Sequence, residues 1–377
     1  MKIRERIYMN QYNIEHQWID FGENNTLIKT PEYYESVYVN QFASLALELT
    51  RHNYKHPFSV ALYYRKPHLK QNVLGKKLIA CITRDHQHIC ETFAGHKFSP
   101  MIQLILDRIR KKEEHYQKNL NRSFIEETRD IRFATPNEFN KIQEDYNDFA
   151  MELRIALLEA GMKERVKSFT RNAKERYKRF LEGCSAAFEK HSRCLAIRLD
   201  TSSRKKTLPY RDFAKTTPET FKEECLEIDR HRENFVKHLN RHFGKELAFY
   251  AWKIEYGVNR GFHIHWFILL NGNKHQDRIN IPMKLGEHWR NVITMGNGVY
   301  RNVNSDHDQQ TSGLRVMHHS DPDLQHHMEG IASYLTKVDY HIKIVLPDNM
   351  RSFGCTKFKN KSACKPGPKR QPIPTRG

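Results

Sequence analysis

Three side chains able to hold a divalent ion fall close together in the run AFYAWKIEYGVNRGFHIHWFILLNG: Glu255, His263 and His265. Two strand-like stretches flank Gly257-Val-Asn-Arg-Gly261, a loop with glycine at both ends that predicts a β-hairpin. If Tyr256 pairs with Phe262, then Ile254 faces Ile264, Trp252 faces Trp266, and Tyr250 and Ile268 follow further out. The result is one continuous apolar face, as a half-buried sheet requires. On the opposite face Glu255 stands across from His263, with His265 two residues along on the same side. An isolated His-x-His on a strand is common without a metal, and the opposed carboxylate sets this one apart. Imidazole nitrogen with carboxylate oxygen suits Mn²⁺, Mg²⁺ or Zn²⁺ and leaves positions open for substrate oxygens.

A second candidate lies downstream in HHMEGIASYLTKVDYHIKIV. Tyr334 and Lys337 are three apart and so share a helix face. A phenol is a poor nucleophile at neutral pH, its unperturbed pKa being about 10. A neighbouring ammonium favours the phenolate and can hold a phosphate, while a metal on another phosphate oxygen adds electrophilic activation. The chemistry that fits is phosphoryl transfer to tyrosine. Tyr340 and Lys343 repeat the spacing six residues on, about 600° around a helix, so Tyr340 points about 120° away from Tyr334. Tyr-x-x-Lys by itself is weak, since a helix tyrosine ordinarily just packs. His318, His319, His326 and His327 are read as local decoys or a polar rim.

These residues need a scaffold. CLAIRLDTS, from Cys194, reads as a buried strand and Thr217 to Phe243 as a helix. Two strands, a helix, two shorter strands and a last helix from about Asp323 to Ile342 follow. That order predicts an α+β fold, mostly antiparallel strands covered by helices. Before it, Ser99 to Ala187 has helical spacing, with long helices over Asn137–Glu159 and Lys163–Lys190. In the less regular first segment, FSVALYYR and KKLIACIT are candidate strands. The expected divisions are a mixed region over 1–98, a basic helical region over 99–190, a catalytic domain over 191–356 and a flexible basic tail over 357–377.

Composition narrows the partners. A formal charge of +19 concentrates polyanions around the surface, so nucleic acid is the expected partner. No run approaches the roughly 20 apolar residues of a membrane span, and MKIRERIYMNQYN has no signal-peptide core. Seven scattered cysteines form no CxxC pair, which points to a reduced, cytoplasmic protein without a zinc ribbon or disulfide framework.

A buried strand, then Glu and His-x-His on a hairpin, then Tyr-x-x-Lys on a later helix resembles the HUH endonuclease superfamily, rolling-circle replication initiators in particular. CLAIRLD resembles their first motif, His263-Ile-His265 the second and Tyr334-Leu-Thr-Lys337 the third, with Glu255 where some place a third metal ligand. WKIEYGVNRGFHIHWFILLNG, GEHWRNVITMGNGVY and SYLTK are more closely similar to the inovirus-type replication proteins, also called the YagK/YfjJ prophage family. The resemblance spans about Arg193 to Gly354. It implies an RRM-like sheet of HUH type, Mn²⁺ or Mg²⁺ as cofactor, and nicking of single-stranded DNA at an origin. The products would be a 5′-phosphotyrosine adduct and a free 3′-hydroxyl. The six-residue tyrosine interval differs from the four of two-tyrosine initiators, so Tyr334 is the expected nucleophile and Tyr340 the reserve. No Gly-x-x-x-x-Gly-Lys run is present, so a host helicase and polymerase are expected partners. An HUH-type transposase and a non-catalytic DNA-binding replication regulator are the alternatives. An RNA-binding protein would leave Glu255, His263 and His265 unexplained.

Overall fold

The structure is a computed structural model that describes residues 17–20, 25–28, 31–93, 95–203, 218–257, 261–305, 313–336, 341–347 and 350–357. The fold is α+β, a largely helical N-terminal half followed by an antiparallel sheet with helices on both faces.

Among the described residues the first elements are the strand pair β1 (Gln17–Asp20) and β2 (Asn25–Ile28) and helix α1 (Pro31–Leu49). FSVALYYR supplies β3 (Phe58–Tyr63), which pairs with β4 (Lys66–Gln71). KKLIACIT, expected as a strand, instead lies in helix α2 (Val73–Ile82). The Asn72 side chain accepts from Gly75 N and caps that helix, while Leu74, Leu78, Cys81 and Ile82 form its buried stripe. The helical period was hidden because only its second half is continuously apolar. Next come α3 (His86–Thr92), β5 (His96–Phe98), α4 (Pro100–Leu120), α5 (Phe124–Asp130) and α6 (Phe139–Leu158). Phe42, Leu45, Leu78, Ile105, Phe149 and Leu153 are central to their shared core.

Helix α7 (Ala160–Lys190) belongs to both halves. Met162 is buried in the N-terminal core, whereas Phe180, Cys184, Ala187 and Phe188 are buried on the sheet. Gly183 permits the close approach, because a Cβ there would fall on the ring of Phe249.

The sheet is built on three long strands, β6 (Arg193–Ser203), β7 (Leu247–Gly257) and β8 (Gly261–Asn271). Strand β6 pairs with β8, β8 with β7, and β7 with the short β12 (Phe353–Cys355), all antiparallel. On the other edge of β6, β10 (Val316–His318) pairs with its start and β9 (Gly298–Asn302) with its end. Asn304 bridges between those two partners. Its Oδ1 accepts from Arg198 N at 2.8 Å and its Nδ2 donates to Ala196 O at 2.8 Å and Leu314 O at 3.3 Å. The side chain is wholly buried, so it satisfies backbone groups that water cannot reach.

One face of the sheet packs on α8 (Pro218–Phe243) and α9 (Asn280–His288) through Ile228, Phe235, Trp266 and Leu285. The other packs on α7 and α10 (Leu324–Thr336) through Phe180, Phe267, Ala332 and Leu335. The last helix was expected to reach Ile342, but Ile342 opens β11 (Ile342–Ile344), which pairs with β5. Ile342-Lys343-Ile344 alternates β-branched with polar, a strand pattern at the end of a helical one. Lys337, Tyr340 and the basic tail after residue 357 lie outside the described residues.

Candidate metal centre and active site

Strands β7 and β8 pair in the register that their alternation predicts. Tyr256 faces Phe262, Ile254 faces Ile264, Trp252 faces Trp266 and Tyr250 faces Ile268. Gly257 pairs with Gly261, whose φ of 70° lies in the left-handed region that glycine tolerates best. From Tyr250 onward, past the bulge at the start of β7, its even-numbered side chains go into the core beneath α8. The odd-numbered ones share the α7 face with His263 and His265.

Glu255, His263 and His265 converge there, with their ligand atoms all within 4.8 Å of one another. Glu255 Oε2 lies 3.5 Å from His263 Nε2 and 3.3 Å from His265 Nε2. Atoms sharing one small divalent ion at 2.0–2.1 Å stand about 3.0–3.4 Å apart, so this spacing is close to that of a ligand set. The outer nitrogens are held as well. His263 Nδ1 is 3.3 Å from Gly261 O, and His265 Nδ1 is 2.7 Å from Asp200 Oδ1. A carbonyl and a carboxylate can only accept, so each Nδ1 carries the proton and each Nε2 is turned towards Glu255. Burial alone would push the Glu255 carboxyl up. When the rings are protonated at Nε2 as well, the charge of His265 and the donors of both imidazoles outweigh it and hold the carboxyl well below its usual range. The residues present fit a divalent ion.

Tyr334, on α10, reaches the same place. Its ring lies 5.6 Å from that of His265, nearly perpendicular to it, and the Arg198 guanidinium sits 3.7 Å above the Tyr334 ring centre. Arg198 Nη2 is also 3.5 Å from Asp200 Oδ2. Asp200 therefore joins the tyrosine's cation to the metal-site imidazole, one oxygen to each.

The structure brings together Glu255, His263, His265 and Tyr334. Lys337 and Tyr340 lie outside the described residues, and Lys343 lies on β11 rather than on a helix, its Nζ donating to Phe169 O. His318 bonds to Ser320 Oγ, and none of His318, His319, His326 and His327 joins the metal cluster among the described residues. Sequence reasoning missed Arg198 and Asp200. The signal was the alternation in Ala196-Ile-Arg-Leu-Asp200: in a strand buried on both faces, two charged residues spaced by two must share a polar destination. It also missed Lys253, buried on β7 directly across from His265 and on the same face.

Cys81, Cys90, Cys184, Cys194, Cys225 and Cys355 are free thiols. No helix among the described residues is long and apolar enough to cross a membrane. No curated protein and no solved structure matches the chain. The YagK/YfjJ C-terminal domain family matches residues 159–356, just over half of the 377 residues and the whole of the sheet with its metal cluster and Tyr334. The chain thus belongs to the YagK/YfjJ C-terminal domain family, a prophage-associated family.

Proposed function

We propose that this protein is a replication initiator of HUH type, its sheet RRM-like, that nicks single-stranded DNA at an origin with Tyr334 as nucleophile. The observation that carries the reading is the placement of a half-buried tyrosine beside His265, at a Glu-His-His cluster that could hold a divalent ion.

Tyr334 Oη would attack the phosphorus of a DNA phosphodiester. A phosphotyrosine bond forms as the bond from phosphorus to the 3′-oxygen breaks, and the proton lost by the phenol is balanced by one gained at that oxygen. The products are a 5′-phosphotyrosine and a free 3′-hydroxyl able to prime synthesis. Glu255, His263 and His265 would hold Mn²⁺ or Mg²⁺, which when bound neutralises phosphate charge and activates phosphorus. Arg198 keeps the Tyr334 ring in place and favours the phenolate, while Asp200 fixes both Arg198 and the His265 tautomer. Elongation after the nick would fall to a host helicase and polymerase.

The test mixes purified protein with 3′-end-labelled single-stranded DNA from the element's own replication region, with Mn²⁺ or with EDTA, on a denaturing gel. A metal-dependent band of label bound to protein, absent from Tyr334→Phe, is the expected result. DNA binding without an adduct on any strand would overturn the nickase reading.

A further inference from the structure

The β3–β4 hairpin lies in the N-terminal half, and the nicking reaction makes no use of it. Its base is fixed to the body. Phe58 is buried, Asn147 on α6 exchanges hydrogen bonds with Phe58 N and O at 3.0 and 3.1 Å, and Gln143 accepts from Val60 N at 2.7 Å. Its tip is not: Leu62, Tyr63 and Tyr64 are 75%, 64% and 84% exposed. A contiguous apolar, aromatic tip held out into water is a feature of contact surfaces.

Backbone geometry at the tip adds a second, independent sign. Tyr63 pairs with Lys66, so the loop is Tyr64-Arg65 alone, with φ of 47° and 61°. Both residues occupy the left-handed region, which two-residue hairpins ordinarily fill with Asn-Gly. A bulky aromatic and an arginine are kept where small residues would close the turn with less strain. Strain of that kind is associated with function rather than with folding.

Charge identifies the ligand class. Between Glu48 and Asp85 there is no acidic residue in 36 positions but eight Lys and Arg, where the chain's 44 acids in 377 would place about four. The register puts Ser59, Ala61 and Tyr63 on the same face as Lys70, His68 and Lys66. That face has small residues on one strand, exposed bases on the other and an aromatic at the end. The Tyr63 ring packs edge-on to Tyr64 at 4.6 Å and to His68 at 5.8 Å. Exposed aromatics for stacking beside cations for phosphates are the features that hold unpaired nucleotides. A paired duplex offers its phosphates but not its base faces.

We infer that the β3–β4 hairpin is a second DNA contact, at which Tyr63 and Tyr64 stack on unpaired bases while Arg65, Lys66 and Lys70 hold the adjoining phosphates. The inference rests on DNA being the partner, as the proposed function has it, but on neither Tyr334 nor the metal. Binding is therefore measured by fluorescence anisotropy in EDTA, on full-length protein, with a labelled single strand and with the duplex of the same length. Replacing both tyrosines (Tyr63→Ala with Tyr64→Ala) should weaken single-strand binding at least 10-fold and leave duplex binding within about 2-fold, a stacked base being worth 5- to 150-fold. Tyr64→Phe should bind as the parent does. Changing the turn by Tyr64→Asn with Arg65→Gly should raise or preserve the thermal midpoint while single-strand affinity falls, separating binding from folding. Unchanged single-strand affinity in the double tyrosine variant, or an equal loss on both DNAs, would overturn the inference and leave the nickase reading standing. An adduct-deficient protein that keeps the tyrosine-dependent single-strand preference would do the reverse.

Discussion

Asp200 on β6 and His265 on β8 meet at 2.7 Å, with both side chains 1% exposed. A buried carboxylate that accepts from Nδ1 fixes the ring's tautomer and its angle, leaving Nε2 to face Glu255. Asp200→Asn should weaken Mn²⁺ binding about 10- to 100-fold by calorimetry. Unchanged affinity with the fold intact would show that Asp200 orients nothing at the metal.

Metal binding should also appear as stability. A ligand bound only by the folded state adds about 2.7 kcal/mol at a hundred times its Kd. Mn²⁺ should therefore raise the unfolding midpoint of the parent, and EDTA should reverse it. Glu255→Ala or His263→Ala should remove most of the shift. A shift that survives both substitutions would place the ion elsewhere.

Asn304 makes a separate prediction, about the scaffold. Asn304→Ala leaves Arg198 N, Ala196 O and Leu314 O without their side-chain partner inside the protein. Each buried polar group so left costs about 1–3 kcal/mol, so a loss of about 3 kcal/mol or more is expected in urea unfolding. Because Arg198 is the residue over Tyr334, adduct yield should fall with it. A loss under about 1 kcal/mol would mean that water replaces the amide.

Acid should act on the histidine stack of α8 and α9. The His238 ring lies 3.5 Å from that of His288 and 5.3 Å from that of His242. Burial, then the charges of His288, His242 and Arg241, bring His238 down to about 4. The unfolded chain takes up that proton near pH 6.5. Between pH 6.5 and about 4 the unfolded state thus binds more protons, and stability falls as pH falls through that window while staying flat above it. His238→Asn should reduce the slope of unfolding midpoint against pH there. An identical slope would assign the acid sensitivity to other groups.

Much of the site was legible because strand alternation is a strict code. Once Tyr256 faces Phe262, every partner of the hairpin follows, including Glu255 with His263. Helix patterns gave α6, α7 and α8 to within a few residues for the same reason. Position along the chain carries no such information between distant elements. That Tyr334 would meet His265, or that Asp200 would reach it from β6, depends on how α10 and β6 pack. KKLIACIT failed because a short apolar run fits a strand and a buried helix equally well, and the Asn72 cap was the missing discriminator.

The pairing of β5 with β11 bears on how such proteins can be inherited. Ser99 N donates to His341 O, Val345 N to Gly95 O, and Ile342 is buried in the N-terminal core. The segment just after helix α10 is thus completed by a strand that comes from the first hundred residues. Recombination between mobile elements can exchange a front half freely when halves are joined only by a linker. Here a new front half would have to bring an edge matching Ile342-Lys343-Ile344, so the two halves should be found to descend together.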